Sequence, residues 1–160
     1  MTAAYIGLGA NLGDPPAQLR VALDRIAQSP GIVLGPVSRF YRSAPLGPAG
    51  QSDYCNAVCA VDTQLSADAL LSVLQGIEAA AGRVRGERWG PRVLDLDLLW
   101  VDGVVSNTAR LSLPHPQLHL RAFVLVPLAE LAPQLQLPGL GRVEQLAAAI
   151  DRSGLRLASD

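Results

Sequence analysis

RWGPRVLDLDLLW, residues 88–100, is the stretch from which the rest of this 160-residue chain is best interpreted. From residue 93 onward its members are apolar and large or β-branched apart from two aspartates, which predicts a β-strand. Alternate side chains of a strand point to opposite faces, so Asp95 and Asp97 share one face and the leucines at 94, 96 and 98 share the other. The apolar run continues to Trp100, as is typical of a central strand, where two neighbouring carboxylates need a partner. The pattern therefore predicts a central strand that presents two carboxylates to a cation.

An arginine-rich loop comes directly before this strand. Its arginines are Arg83, Arg85, Arg88 and Arg92. Glycines and Pro91 interrupt the segment, which favours a loop over a helix. Guanidinium groups match phosphate oxygens, and Mg²⁺ is usually held by one or two carboxylates together with phosphates and water, so these residues suggest phosphoryl transfer. The alternative is a set of exposed ion pairs with Glu78 or Glu87, which would contribute little to stability.

Length, charge and hydropathy narrow the class of protein. A chain of 160 residues is expected to form a single domain, here residues 1–160. The net charge of -1 and the pI near 6.1 give no overall positive field, so we expect neither nucleic acid nor membrane as a partner. No signal-peptide pattern and no apolar run of about eighteen residues occurs, which favours a cytoplasmic location.

Cys55 and Cys59 are the two cysteines of the chain, and both fall in a predicted strand. Four positions along a strand separate two residues by about 13 Å, which excludes a disulfide between them in that conformation. We therefore predict that both are small core residues in a reducing compartment.

Strand and helix patterns alternate along the chain. Strands are predicted at 3–8, 32–41 and 54–61 and at the two aspartates, with helices opening at Pro15–Pro16 and after Ser66. Further short strands are predicted at 104–105 and 111–113, a strand or helix at 124–131, and a short helix at 143–150. The order β-α-β-β-α-β predicts an α+β fold, a ferredoxin-like split βαβ sandwich with helices on one face and a C-terminal extension.

The first strand ends in a glycine-rich segment that resembles a dinucleotide fingerprint only superficially. Glycines 7, 9 and 13 give the spacing G-x-G-x-x-x-G, which is one residue too long, and no acidic residue follows a second strand at the distance that would bind a ribose. A tight strand-to-helix turn is the better interpretation. Asn11 and Asp14 are the candidates to cap the first helix.

Five separated motifs occur in a specific order along the chain. They are 9-GANLGD-14, 40-FYRSAPLGP-48, the pair Tyr54 and Asn56, 90-GPRVLDLDLL-99, and 114-PHP-116 followed by 121-RAFVL-125. Together they resemble the 6-hydroxymethyl-7,8-dihydropterin pyrophosphokinase family, and the resemblance extends to about Pro133. It implies the ferredoxin-like fold and a reaction of folate biosynthesis in which the terminal diphosphate of ATP moves to the hydroxymethyl group of the dihydropterin, releasing AMP.

The resemblance also implies which residues handle the phosphates. Asp95 and Asp97 would hold two Mg²⁺ ions, with Asp95 the nearer candidate to assist deprotonation of the hydroxymethyl group. Arg83 and Arg92 would bind phosphates and stabilise the transition state, completing a catalytic set with the two aspartates. ATP as co-substrate would contact Gln75, Glu78, Arg85, Arg88, Trp89, Leu98, Arg110, Ser112, His115 and Arg121. For His115 the alternative is a rigid-turn residue with a satisfied hydrogen bond.

A flat pterin ring requires aromatic faces above and below it and hydrogen-bonding groups in its plane. The resemblance implies that Tyr54 and Phe123 stack on the ring and that Asn56 bonds its edge. Ser43 and Leu46 would read that edge through their backbones. Core filling is the alternative for either aromatic residue alone.

Two other classes of function stay open at this point. RNA-binding modules also use ferredoxin-like sheets, but the aromatic pattern and the basic face typical of them are not evident. A simpler Mg²⁺-dependent kinase would use the same carboxylates and arginines and release ADP instead of AMP. The expected partners are ATP and the dihydropterin alone, and the expected state is a monomer.

Overall fold

The computed structural model describes residues 1–43, 53–82 and 94–158. Its strands, in chain order, are β1 (Thr2–Ala10), β2 (Ile32–Val37), β3 (Tyr41–Ser43), β4 (Tyr54–Thr63), β5 (Asp95–Val101), β6 (Ser106–Asn107), β7 (Ser112–Leu113), β8 (Gln136–Leu137), β9 (Gly141–Arg142) and β10 (Arg156–Leu157). Its α-helices are α1 (Pro15–Gln28), α2 (Ala67–Ala80), α3 (Ala122–Leu131) and α4 (Val143–Ala149), with a short 3₁₀ helix at Leu118–Leu120.

A six-stranded antiparallel sheet forms the centre of the fold. Its strand order is β10-β3-β4-β1-β5, and β2 pairs with β4 further along the edge that β3 occupies. Strand β1 lies between β4 and β5 and is antiparallel to both. The predicted α+β class, with an antiparallel sheet and helices, is confirmed.

Helices α1 and α2 pack against the sheet, and both begin at the predicted caps. The Asp14 carboxylate accepts the Ala17 N–H at 3.2 Å, and the Ser66 hydroxyl accepts the Ala69 N–H at 3.1 Å. Their apolar positions recur at helical spacing and join alternate residues of β1 in one core. The main members are Ala4, Ile6, Leu8, Leu19, Ile26, Leu70 and Leu74, all 0–2% exposed.

Helix α3 packs against β3 and β4, and α4 packs against α3. The Glu130 carboxylate of α3 accepts hydrogen bonds from the Arg39 N–H at 3.0 Å and from the Tyr41 hydroxyl. Tyr41 pairs with Asn56 across β3 and β4, so these two residues share a face of the sheet. Helix α3 therefore covers the β3–β4 side of that face.

The strand predicted at 32–41 is two strands instead of one. Pro36 lacks the N–H that a continued ladder requires, and the register of β2 on β4 shifts between Leu34 and Val37. At the break, the Ser38 N–H donates to the Val58 carbonyl at 2.8 Å while the Ser38 hydroxyl accepts the Val58 N–H at 2.9 Å. The Ser38 hydroxyl thus takes the place of a backbone carbonyl as acceptor, and the segment between β2 and β3 stays bonded to β4.

The strand of the two aspartates lies at an edge of the sheet, so its prediction as a central strand was wrong. Within the described ranges β5 ends the strand order. Its apolar side chains are nevertheless buried, because α2 and β7 pack against it. Helix α2 and strand β7 thus bury the side chains that a further strand of the sheet would otherwise have buried.

The remaining predictions concern the C-terminal half and the cysteines. The segment 124–131 is helical, within α3, and 143–150 contains α4, whereas 104–105 and 111–113 yield only an isolated bridge from Val104 to Val101 and the two-residue β7. Cys55 and Cys59 are buried and unbridged, as predicted. No helix in the described part of the chain is long and apolar enough to span a membrane.

Candidate active site

A strip of glycine in β1 separates two sets of polar residues on one face of the sheet. Gly9 pairs with Asn56 of β4 on one side and with Asp95 of β5 on the other, and Gly7 is the partner of Asp97. Directly opposed residues share a face, so the amide and both carboxylates project to the same side. With strands about 4.8 Å apart, the backbones at Asn56 and Asp95 are about 10 Å apart. The strip therefore forms a floor between Asn56, here called the amide wall, and Asp95 with Asp97, here called the acidic wall.

The acidic wall has the alternation that the sequence predicts. The leucines at 94, 96 and 98 are 2–4% exposed, whereas the Asp97 side chain is 43% exposed. Among residues 1–43, 53–82 and 94–158 there is no cluster of three or more histidine, cysteine or acidic side chains. The donor set is thus a pair of carboxylates, which suits a hard cation that takes its other ligands from phosphate and water.

His115 faces this acidic wall from the turn that follows β7. Its backbone N–H donates to the Leu99 carbonyl at 2.9 Å, and its Nδ1 accepts the Gln117 N–H at 3.1 Å. These bonds agree with the turn interpretation and leave Nε2 at 3.9 Å from Asp97 Oδ1. Burial lowers the pKa of His115 below its ordinary value, and Arg121 lowers it further, while Asp97 acts in the opposite direction. The neutral imidazole therefore carries its proton on Nε2, toward Asp97.

The amide wall is held by a buried hydrogen bond. The Ser43 hydroxyl donates to Asn56 Oδ1 at 2.6 Å, and the two residues are 8% and 5% exposed. This bond directs Asn56 Nδ2 over Gly9, where a Cβ would lie only 3.0 Å from Nδ2 and 3.9 Å from the ring of Tyr54. Glycine at position 9 therefore makes room for the amide.

Phe123 lies at the start of α3, partly buried, with the Arg121 guanidinium 5.6 Å from its ring centroid. A cavity of about 570 Å³ brings Phe123 and Ser43 together. Asp151 and Ser153 line the same cavity from the C-terminal segment. Neither residue was predicted from the sequence, because both belong to an exposed polar turn beyond the last motif.

The residues predicted to contact ATP are spread around β5. Gln75 is exposed on α2, and the Glu78 carboxylate accepts the Leu96 N–H at 2.8 Å. Arg110 is bonded to Asp68 Oδ1 at 3.2 Å and to the Ser72 hydroxyl at 2.7 Å.

Two further predicted ATP contacts are constrained by their surroundings. The Ser112 hydroxyl donates to the Thr108 carbonyl at 3.4 Å. Leu98 is 3% exposed and its side chain belongs to the core, so it could contact ATP only through its backbone.

Six predicted site residues lie outside the described residues. They are Leu46, Arg83, Arg85, Arg88, Trp89 and Arg92. Their roles stay predictions.

Comparisons with known proteins bear on this site. The family model described as 7,8-dihydro-6-hydroxymethylpterin-pyrophosphokinase (HPPK) matches residues 5–133. A protein of Methylorubrum extorquens named 2-amino-4-hydroxy-6-hydroxymethyldihydropteridine pyrophosphokinase is 48% identical over 155 residues, 97% of this chain and 98% of that protein. A Pseudomonas aeruginosa protein of the same name is 46% identical over 151 residues, 94% of this chain and 93% of its own.

Solved structures share the fold at low sequence identity. A crystal structure of an HPPK-DHPS in complex with substrates superimposes with a TM-score of 0.72 at 10% identity over 92% of this chain. Wild-type Plasmodium falciparum HPPK-DHPS with pteroate also gives a TM-score of 0.72, at 12% identity over 92% of this chain. This chain spans only 43% and 42% of those two chains. By its family match and its close relatives, the chain belongs to the 7,8-dihydro-6-hydroxymethylpterin-pyrophosphokinase family.

Proposed function

We propose that this chain is a diphosphokinase of folate biosynthesis that transfers the terminal diphosphate of ATP to the hydroxymethyl group of 6-hydroxymethyl-7,8-dihydropterin, releasing AMP. Family membership supports the reaction on the dihydropterin. The observation that carries the proposal is the placement of Asn56 and Asp95 on opposite sides of Gly9. A ring held at the amide wall would thereby present its substituent to the acidic wall.

The amide wall supports the assignment of the pterin end. A pterin edge offers both donors and acceptors in the ring plane, and Asn56 Nδ2 supplies a donor whose direction Ser43 determines. Phe123 shares a cavity with Ser43 and would supply an aromatic face. These residues would orient the ring so that the hydroxymethyl group points across the glycine strip.

The acidic wall fits Mg²⁺, with Asp95 and Asp97 as the protein ligands. Two partly exposed carboxylates on one face match the donor set that Mg²⁺ takes alongside phosphates and water. Two bound ions would neutralise charge on the attacking and leaving oxygens. Asp95 is the acid directly across Gly9 from Asn56, and it would be the nearer of the two acids to assist deprotonation of the hydroxymethyl group. His115 would donate from Nε2 to a phosphate oxygen beside Asp97.

We further propose that the ferredoxin-like architecture describes this sheet and that residues 1–160 act as a single monomeric domain. Without β3 and β10, the strand order is β2-β4-β1-β5, in which the first and last strands of a β-α-β-β-α-β unit are neighbours. The four α-helices and six of the described strands (β1, β2, β4, β5, β7 and β8) contribute residues to one hydrophobic core. A cytoplasmic location agrees with the two buried free thiols.

Product analysis tests the proposed reaction. Incubation of the purified chain with ATP, Mg²⁺ and the dihydropterin should give AMP and the dihydropterin diphosphate in equal amounts, and neither product should form when the dihydropterin is left out. Formation of ADP would identify a kinase that transfers only the terminal phosphoryl group. Equal rates with and without the dihydropterin would show that it is not the acceptor.

A further inference from the structure

Glu78 is a buried carboxylate in an unfavourable position. It lies in the last turn of α2, where the helix dipole disfavours a negative charge, and it is 6% exposed. Its Oε2 accepts the backbone N–H of Leu96 at 2.8 Å. A buried acidic side chain that is bonded to the backbone of a neighbouring strand is placed to do more than fill the core.

The position of Leu96 suggests that role. Leu96 lies between Asp95 and Asp97 on β5, and its N–H points away from β1 toward α2. Within the described ranges, β5 is an edge strand, and the outward N–H groups of an edge strand have no ladder partner. Glu78 supplies the acceptor that a further strand would otherwise supply, at the residue between the two acids.

Strand register decides which face the two acids occupy. A shift of one residue would turn Asp95 and Asp97 into the core and Leu96 toward the glycine strip. Small twists of an edge strand would also change the separation and direction of the carboxylates. A hydrogen bond from a rigid helix to the intervening backbone opposes both movements.

We infer that Glu78 is a positioning residue, which holds the backbone of β5 so that both carboxylates point at the phosphate-bound cation. This inference rests on the proposed function for the identity of the bound group. It assigns Glu78 a task different from direct contact with ATP. Partners that orient metal ligands typically affect metal affinity or activity about tenfold to a hundredfold when they are removed.

Two conservative variants separate an acceptor role from a charge role. Glu78→Gln keeps an oxygen at the same reach and removes the charge, whereas Glu78→Asp keeps the charge and shortens the reach by one methylene. The first measurement is hydrogen exchange of the Leu96 amide in the ligand-free protein by NMR. The second is the Mg²⁺ concentration that half-saturates binding of α,β-methylene ATP, measured by calorimetry.

If Glu78 positions β5 as a hydrogen-bond acceptor, Glu78→Gln should give nearly the wild-type values in both measurements. In Glu78→Asp, exchange of the Leu96 amide should accelerate at least about tenfold, and the half-saturating Mg²⁺ concentration should rise by about tenfold. Glu144→Gln is the matched control, since Glu144 is an exposed helical glutamate that pairs with the half-buried Arg142 on α4 and β9, not on α2 or β5. It should leave both measurements unchanged.

The opposite ranking would overturn the inference. If Glu78→Gln loses Mg²⁺-dependent binding while Glu78→Asp retains it, the charge of Glu78 acts on the ligand directly. Unchanged exchange of the Leu96 amide in Glu78→Asp would likewise exclude the backbone role. A wild-type chain that binds no nucleotide would contradict the proposed function instead, and the exchange rates would still support or exclude the Glu78 contact.

Discussion

The two faces of strand β1 differ although they are built from the same nine residues. On one face Ala4, Ile6, Leu8 and Ala10 are 0–2% exposed and join the core. On the other face Gly7 and Gly9 form the floor between the acidic and amide walls. Since the two sets alternate at a period of two residues, one strand serves stability and chemistry separately. Substitutions on the two faces should therefore affect different measurements.

The largest effect is expected on the site face, at the two carboxylates. Asp95→Ala and Asp97→Ala should each lower turnover by about a thousandfold or more, because several kcal/mol of charge stabilisation would be lost. The Tm should change little, since both side chains are partly exposed. The rate of AMP formation at saturating Mg²⁺ tests the loss of turnover, and a thermal melt tests the Tm. Near-normal turnover in either variant would show that its carboxylate is not a metal ligand.

The core face should respond in the opposite way. Leu8→Ala removes a side chain that is 2% exposed and should lower the free energy of unfolding by about 2–5 kcal/mol. Activity per folded molecule should persist, because Leu8 points away from the site. Urea denaturation measures the loss, and Leu157→Ala, at a position 50% exposed, serves as the control with an expected change within about 0.5 kcal/mol. Equal losses in both variants would contradict the assignment of Leu8 to the core.

The glycine strip allows a comparison within the site face. In Gly9→Ala the new Cβ would lie 3.0 Å from Asn56 Nδ2 and displace the amide, whereas in Gly7→Ala it would lie 3.4 Å from Leu99 Cδ2, at ordinary contact. Gly9→Ala should therefore weaken dihydropterin binding by about 1–2 kcal/mol, or about five- to thirtyfold. Calorimetric titration with the pterin measures this, and Gly7→Ala should bind almost normally. A similar loss in both variants would mean that the strip tolerates no side chain, irrespective of Asn56.

The smallest effect concerns the pH dependence of stability. Burial raises the pKa of the Cys59 thiol to about 12, whereas the thiol of an unfolded chain ionises near pH 8.5. Unfolding thus releases a proton between these values, so the free energy of unfolding should fall as the pH rises through this range. Denaturant unfolding at several alkaline pH values measures this, and the free energy of unfolding should fall less steeply with pH in Cys59→Ala than in the wild type. An identical slope would mean that the thiol ionises equally in both states.

Local features were predictable from the sequence because their causes are local. Asp14 and Ser66 cap helices by bonding backbone three residues away. The alternation at 94–98 determines which side chains are buried on any strand packed on one face. The roles of Asn56 and Asp95 were predicted only through the resemblance, whereas their placement on one face comes from strand pairing across Gly9.

Features that depend on distant partners were not predictable. The break at Ser38 depends on Val58, twenty residues further on. The apolar run of β5 is typical of a central strand, and the packing of α2 and β7 explains how an edge strand can be as apolar. The contact of Glu78 with the Leu96 backbone was not predicted, because no pattern in α2 shows where β5 will lie.

Strand β10 pairs with β3, which is synthesised much earlier. Two backbone contacts attach β10 to the strand that carries Ser43: its pairing with Tyr41 and Arg42, and the bond from the Ala158 N–H to the Phe40 carbonyl. The Arg156–Asp53 ion pair at 2.8 Å adds a contact directly before β4. Those partners are translated more than a hundred residues apart. At a synthesis rate of about 5–20 residues per second, β10 is made roughly ten seconds after the strand β3 with which it pairs. The strand that carries Ser43 is thus made well before the strand that covers its outer edge.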